Sequence, residues 1–232
     1  MSLINSTAIP SGAGYEIEQS LRFEDGSSAY LSRTPSSAGN RKTWTMSLWF
    51  KRGNLTNDQT IFQAGTTGGN RANIYLANNT IQFLDTTSTD VLFTSSQLLR
   101  DVSSWYHLVV QFDTTQGTAS DRLKMYLNGT RITAFADSNT IAQNTDGLVN
   151  STIAHAFGTP AYNSGIAQFD GYMAEVHFID GTALTPTSFG ETGTYGEWKP
   201  IGVSGLTYGT NGFYLNFATA ADMGDDKSGN TN

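Results

Sequence analysis

The sequence predicts an all-β fold, an antiparallel jelly-roll β-sandwich, and three observations carry that reading. Apolar residues recur at every second position from about residue 20 into the last twenty residues, the period of half-buried strands. Turn-forming residues, among them 24 glycines and many Asn, Ser and Thr, interrupt this alternation at short intervals. No segment of useful length shows the helical period. A chain of 232 residues is long enough to form one such sandwich with a sizeable core.

The elements follow in order. Trp44, Met46, Leu48 and Phe50 alternate with Thr45, Ser47, Trp49 and Lys51, which predicts a strand with one buried face. Ile74 and Leu76, then Ile81 and Phe83, flank Ala77-Asn78-Asn79-Thr80 as a hairpin with a short polar loop. Tyr106, Leu108, Val110 and Phe112 form another inward row, opposed by His107, Gln111 and Asp113. Leu123, Met125 and Leu127 run into Asn128-Gly129, which tolerates two positive φ angles, so a hairpin returns through Arg131 and Ile132. Ala174, Val176 and Phe178 are expected inward, with Met173, Glu175, His177 and Ile179 opposite. Thr185-Pro186 offers an N-cap and a first-position proline for one helical turn through Phe189, and Phe213, Leu215 and Phe217 form a late strand. Residues 20–217 are thus one domain. Residues 1–19 carry no sustained pattern and are expected as an arm or linker, ordering on a partner subunit; residues 218–232 are expected as a flexible polar tail.

Composition narrows the function classes. The absence of cysteine excludes a disulfide scaffold, a thiol nucleophile and a Cys-ligated zinc site. Only 14% of residues are charged, the net charge is −7 and the pI is near 4.8, so the basic footprint of nucleic-acid or polybasic membrane binding is missing. No apolar run approaches the ~18 residues of a membrane span, and Met1-Ser2-Leu3-Ile4-Asn5 lacks the basic start and apolar core of a secretory signal. The Asn-x-Ser/Thr sites at Asn5, Asn54, Asn78, Asn128 and Asn150 are read as incidental to an Asn/Thr-rich chain.

Several segments together resemble a known pattern. In order they are Thr43-Trp44-Thr45-Met46-Ser47-Leu48-Trp49-Phe50-Lys51-Arg52, Trp105-Tyr106-His107-Leu108-Val109-Val110-Gln111-Phe112-Asp113, Leu123-Lys124-Met125-Tyr126-Leu127-Asn128-Gly129 and Phe169-Asp170-Gly171-Tyr172-Met173-Ala174-Glu175-Val176. Over about residues 20–185 they resemble a laminin-G/pentraxin-like domain of the concanavalin A-like lectin/glucanase superfamily. A narrower likeness joins His177-Phe178-Ile179-Asp180-Gly181-Thr182-Ala183-Leu184-Thr185-Pro186, Ser188-Phe189-Gly190-Glu191, Gly209-Thr210-Asn211-Gly212-Phe213-Tyr214-Leu215-Asn216-Phe217 and Asp226-Lys227-Ser228-Gly229-Asn230. This set is similar to tail-fibre and virion structural proteins of tailed bacteriophages. The resemblance implies a virion-surface structural protein, in a tail fibre or a capsid or tail decoration. It would assemble with other virion proteins and copies of itself, and touch host glycans.

Catalytic chemistry finds little to rest on. A retaining glycosidase needs two carboxylates about 5–5.5 Å apart, supplied on a strand by alternate acids. Glu16 and Glu18 have that spacing but sit in the unpatterned arm, and Glu175 has His177 rather than a second acid on its face. The histidines are His107, His155 and His177; those at 107 and 177 are expected on polar faces, solvated or bonded across strands. There is no Gly-x-Ser-x-Gly elbow, and Gly65-Thr66-Thr67-Gly68-Gly69 has no following lysine or helix to cradle phosphate. No catalytic residue is therefore assigned, and a secreted glycan hydrolase or a calcium-dependent lectin stands as the alternative.

No cofactor is assigned. The family resemblance nevertheless raises calcium at the sandwich rim, for which Asp113, Asp121, Asp170, Asp180, Asp225 and Asp226 are the oxygen donors to test. Sugar rings stack on flat apolar faces, so Trp49, Trp105, Tyr126, Tyr75 and Tyr214, on nominally polar strand sides, are the candidate contacts. Burial beneath a loop, an oligomer interface and a sugar platform are the three fates open to them, and no ligand-binding residue is fixed by sequence.

Overall fold

The computed structural model describes residues 14–56, 58–87, 91–163, 167–230 and 232. Its first seven-stranded sheet contains β1 (Leu21–Phe23), β3 (Thr43–Arg52), β8 (Tyr106–Asp113), β9 (Leu123–Leu127), β10 (Thr130–Arg131), β13 (Gly171–Asp180) and β16 (Phe213–Leu215). The order is β1-β13-β3-β8-β9-β10, with β16 beside β1 on the same edge of β13. The second sheet orders β11 (Phe135–Ser138), β7 (Val91–Ser95), β6 (Thr80–Asp85), β5 (Asn70–Ala77), β4 (Gln59–Thr67), β12 (His155–Phe157) and β2 (Leu31–Arg33). A separate ribbon pairs β14 (Gly190–Thr192) with β15 (Trp198–Pro200). The strand pairs are antiparallel, as the period-two pattern predicts.

The alternating rows meet between the sheets. Trp44, Met46, Leu48, Phe50, Leu108, Val110 and Phe112 face Ile61, Ile74, Leu76, Ile81 and Phe83 in one core. Trp44 bridges the layers, stacked on Phe112 at 5.1 Å and tilted against Phe83 at 6.4 Å. Burying side chains of this size stabilises by about 1.5–3 kcal/mol each. Both asparagine turns form. Asn78 and Asn79 have φ of 49° and 64°, and Asn128 and Gly129 have 48° and 77°, the positive pairs of two-residue hairpins. A single 3-10 turn, Pro186–Ser188, follows Thr185, whose hydroxyl bonds Thr187 rather than capping a backbone N–H.

Two expectations are corrected. The phase of β13 shifts at a bulge: Ala174 pairs with Trp49 and His177 with Ser47, so two residues oppose one, and Glu175 takes a φ of 49°. Met173, not Ala174, therefore points into the core together with Val176 and Phe178. The second correction concerns the outer face of the first sheet, which the alternation marks as polar and solvated. Segment 182–208 folds over it, and Val109, Ile179 and Phe189 form a second small core with Leu184, Val203, Leu206 and Tyr208. Thr45 ties this cover down, donating to the carbonyl of Thr182 and accepting from the amide of Leu184, both at 2.8 Å.

The described parts of the two terminal segments make contacts with the domain. Residues 1–13 of the expected arm lie outside the described residues. Tyr15 lies on the chain's own sandwich, at the Tyr214 hydroxyl and the Glu175 carboxylate. The polar segment 218–232, expected as a flexible tail, is bonded to the domain. Asp226 accepts from the Tyr214 amide at 2.9 Å, and Asn230 Nδ2 donates to the carbonyls of Gly209 and Gly212 at 2.8 Å. Its Asn and Asp side chains serve backbone groups of the neighbouring loop, which composition alone reads as mobility.

Candidate functional site

The cover makes the outer-face residues of β3, β8 and β13 into an enclosed cluster. His107 is 1% exposed, with Nε2 at 2.8 Å from Ser47 Oγ. Its Nδ1 accepts the indole N–H of Trp198 at 2.9 Å. A neutral imidazole that accepts at Nδ1 carries its proton on Nε2, so His107 donates to Ser47 and cannot take its proton. The Ser-His pair is thus not a nucleophile with its base. Burial, followed by the neighbouring His177, pushes the His107 pKa down to about 3, which keeps it neutral. His177 is equally buried, bonded to Tyr208 through Nδ1 at 2.8 Å and stacked on Tyr214 at 4.2 Å. His155, in the second sheet, accepts from the Asn150 amide at 3.0 Å and bonds the Ile153 carbonyl through Nδ1. Of the two states expected for His107 and His177, solvated or bonded, both rings take the bonded and buried one.

Glu175 and the arm acids come together. Glu16, Glu18 and Glu175 line one open groove of about 480 Å³ with Tyr15 and Asn216. Glu175 Oε2 accepts from Tyr214 at 2.7 Å and lies 3.8 Å from His177 Nε2. Burial pushes the Glu175 pKa upward, but the neighbouring His177, the hydrogen bond from Tyr214 and the nearby Tyr15 outweigh it and hold the carboxyl below its ordinary range. A carboxylate held ionised is the reverse of what a general acid needs.

The calcium candidates do not fit a cation. Asp113 accepts from Thr43, Thr115 and Gln116. Asp180 accepts from the amides of Asn40 and Asn211 and from Asn150 Nδ2. Asp170 pairs with Arg22 and accepts from Asn54, and Asp121 faces Lys124 and Arg131. Asp225 is held by Thr219 and Lys227, Asp226 by the amides of Tyr214, Ser228 and Asn232. These carboxylate oxygens face N–H, O–H or cationic donors, and among the described residues no three His, Asp or Glu side chains gather as ligands.

The candidate aromatics separate cleanly. Trp49 is buried and stacked on His107 at 4.7 Å. Tyr126 packs in the second core, Tyr75 and Tyr214 are half-buried, and Trp105 is 38% exposed. Trp105 has a partner that the sequence pattern missed. Tyr172, also 38% exposed, pairs across β13 with Arg22 of β1 on one side and Lys51 of β3 on the other. Tyr106 opposes Phe50 in β8, so Trp105, one residue earlier, adjoins Lys51. The result is an outward row Arg22–Tyr172–Lys51–Trp105 at an end of the sheet. The Trp105 and Tyr172 rings lie 6.5 Å apart, and the Arg22 guanidinium stands 5.3 Å from the Tyr172 ring centre. Two half-open rings with the Lys51 position between them can stack a sugar and bond its hydroxyls, while Arg22, beyond Tyr172, is held by Asp170 and the Gly171 carbonyl. The displaced bulge at Glu175 hid Tyr172, because an unbroken alternation from Phe178 places it inward.

The architecture is shared with known sandwiches. Domains LG4-5 of the mouse laminin alpha1 chain match with a TM-score of 0.51 at 13% identity, over 83% of this chain and 47% of that one. A NanB sialidase variant from Streptococcus pneumoniae matches with a TM-score of 0.52 at 16% identity, over 75% and 28%. A heptameric SAP-like pentraxin from Limulus polyphemus matches with a TM-score of 0.46 at 15% identity, over 74% and 76%. This chain therefore spans about half of that laminin fragment and a smaller part of the sialidase. No curated protein gives a significant sequence match. The profile of a laminin G family, described as the concanavalin A-like lectin/glucanases superfamily, matches residues 25–188, and with most of its length inside that match this chain belongs to the family.

Proposed function

We propose that this chain is a non-catalytic, glycan-contacting structural module of a virion surface, in a tail fibre or a decoration of capsid or tail. The single observation that carries the glycan part is the exposed Trp105–Tyr172 pair on a lectin-like sandwich, flanked by Lys51 and Arg22. The virion part is supported by the likeness of residues 177–191, 209–217 and 226–230 to phage structural proteins. In the fold those residues strap the domain: Asp180 holds Asn211, and Asn230 holds the 209–212 loop. A weak site of this kind gains avidity when repeated on a homo-oligomeric particle without any new contact. A glycan array on the purified protein, with and without calcium and with reducing ends assayed in parallel, tests the reading. Binding without sugar release, weakened in Trp105→Ala and in Tyr172→Ala, is the expected result. No binding to any glycan, with copies nevertheless assembling, would leave only the architectural role.

A second reading has its own observation, the convergence of Glu16, Glu18 and Glu175 on one groove. A glycan hydrolase built there would release reducing ends in the same assay and lose that activity in Glu175→Gln. The bound-down state of Glu175 ranks this second.

A further inference from the structure

The two sheets part along one lateral edge, where β2 faces β16 across a cleft of about 230 Å³. Leu31, Phe62, Phe157, Phe178, Phe213 and Leu215 wall it, so most of the surface it offers is carbon. Polar residues also line it, Ser32, Arg33, Asn150, His155, Asn211 and Asn232, with the ring nitrogens of His155 and the side-chain amide of Asn150 bonded within the chain. Arg33 donates to the Asn211 carbonyl at 2.9 Å and to Asn232 Oδ1 at 2.6 Å. Both acceptors are neutral, and among the described residues no carboxylate lies within ion-pair distance of this guanidinium. Burial depresses the Arg33 pKa, with Asp226 opposing only as a nearby charge; that carboxylate is itself held by three backbone amides. A guanidinium carries five N–H donors, and it makes its strongest bonds to anions, two at a time.

We infer that this cleft binds a small amphipathic carboxylate, its apolar chain between the sheets and its carboxylate on Arg33. The cleft is roughly half as large again as the ~150 Å³ apolar cavity that holds benzene, which suits a medium-length hydrocarbon tail. Sugars are poor occupants, because their hydroxyls would be stripped of water against phenyl and leucyl walls without replacement bonds. The site is separate from the Trp105–Tyr172 row and does not depend on the glycan reading.

Calorimetric titration of the purified full chain with decanoate, decanol and acetate tests it. Decanoate is expected to saturate one site per chain, decanol to bind at least about tenfold more weakly, and acetate not at all. Arg33→Gln is expected to bring decanoate down to the affinity of decanol. Because Arg33 also ties down the C-terminal segment, Leu31→Trp gives an independent check: it fills the cleft from its half-buried rim and abolishes binding with Arg33 in place. Equal affinity for decanoate and decanol, unchanged binding in Leu31→Trp, or no saturable decanoate binding by the native chain would each overturn the proposal.

Discussion

The indole N–H of Trp198 donates to His107 Nδ1 at 2.9 Å, and this bond decides the protonation state of an imidazole buried under the covering ribbon. With Nδ1 occupied as an acceptor, the ring proton sits on Nε2 and points at Ser47. The cover segment thus does more than shield the outer face. It holds the ring in a single tautomer, and it removes the chemistry a Ser-His pair could otherwise offer. Imidazole nitrogen chemical shifts of His107 are expected to show Nδ1 unprotonated at neutral pH. Replacing the donor in Trp198→Phe leaves a buried acceptor unpaired and is expected to cost about 1–3 kcal/mol in denaturant melts.

The same burial predicts how stability depends on pH. His107 is pushed down to about 3 and His155 to about 4, each first by burial, and His177 is lowered by burial against the pull of Glu175. In the unfolded chain these rings titrate near ~6.5. Below that pH the unfolded state takes up protons that the folded state refuses, so stability falls with falling pH. The loss runs from about pH 6.5 toward the folded values, at up to ~1.4 kcal/mol per pH unit for each histidine. Asp85, raised by burial, opposes this in the lower part of the window. Denaturant midpoints at pH 7.5 and pH 5 check it, and equal midpoints would mean that the histidines are solvated in the native state.

Gly129 carries the turn and the cover at once. Its φ is +77°, and a Cβ there would meet the Trp198 ring at 2.4 Å. Gly129→Ala is therefore expected to destabilise by roughly 2–4 kcal/mol, from positive-φ strain and from lifting Trp198 off the hairpin. Gly69, in a hairpin loop where a Cβ would meet no heavy atom within 4 Å, is the control. Its change to alanine is expected to stay within about 0.5 kcal/mol.

How far the sequence carried depended on whether a feature was local. Trp44 to Phe50, Leu108 to Phe112 and the Asn128-Gly129 turn were legible, because strand alternation and primed-turn chemistry act between near neighbours. The bulge at Glu175 was not, since a positive φ at glutamate follows from tertiary pairing and leaves no sequence mark. That one event misplaced Met173, Ala174 and Tyr172 together. Likewise the cover over Thr45, Ser47 and His107 could not be read from the polar alternation, because segment 182–208 buries these side chains and supplies hydrogen-bond partners to Thr45 and His107. Of the site, Trp105 was legible as an outward aromatic, whereas its junction with Tyr172 and Arg22 required the sheet order.

The carboxylates weighed as calcium ligands are expected to behave as structural acceptors. Chelator should leave the thermal midpoint unchanged, since Asp113, Asp170 and Asp180 are already bonded by donors of the chain itself. Asp180→Ala, by contrast, strands the Asn40 and Asn211 amides and Asn150 Nδ2, and a loss of about 3 kcal/mol or more is expected. A midpoint that drops on chelation and recovers with added calcium would sink this assignment.

Trp49 and Trp105 give opposite outcomes although both stand on the nominally polar side of the same sheet. Trp49 is 7% exposed and stacked on His107, so its loss removes packing between sheet and cover. Trp49→Ala is expected to cost about 3–5 kcal/mol of stability. Trp105 shares its contact with Tyr172, and both rings remain open to solvent. Trp105→Ala and Tyr172→Ala are therefore expected to leave the denaturant midpoint nearly unchanged. Each should weaken glycan binding by about 0.5–1.5 kcal/mol, a factor of roughly two to ten. Because the rings lie 6.5 Å apart in contact with each other and would present one shared surface to a sugar, the double variant should lose less than the sum of the single losses. Additive losses would place two separate sugars on the two rings, and a fall in stability matching the fall in binding would reduce the row to a structural contact.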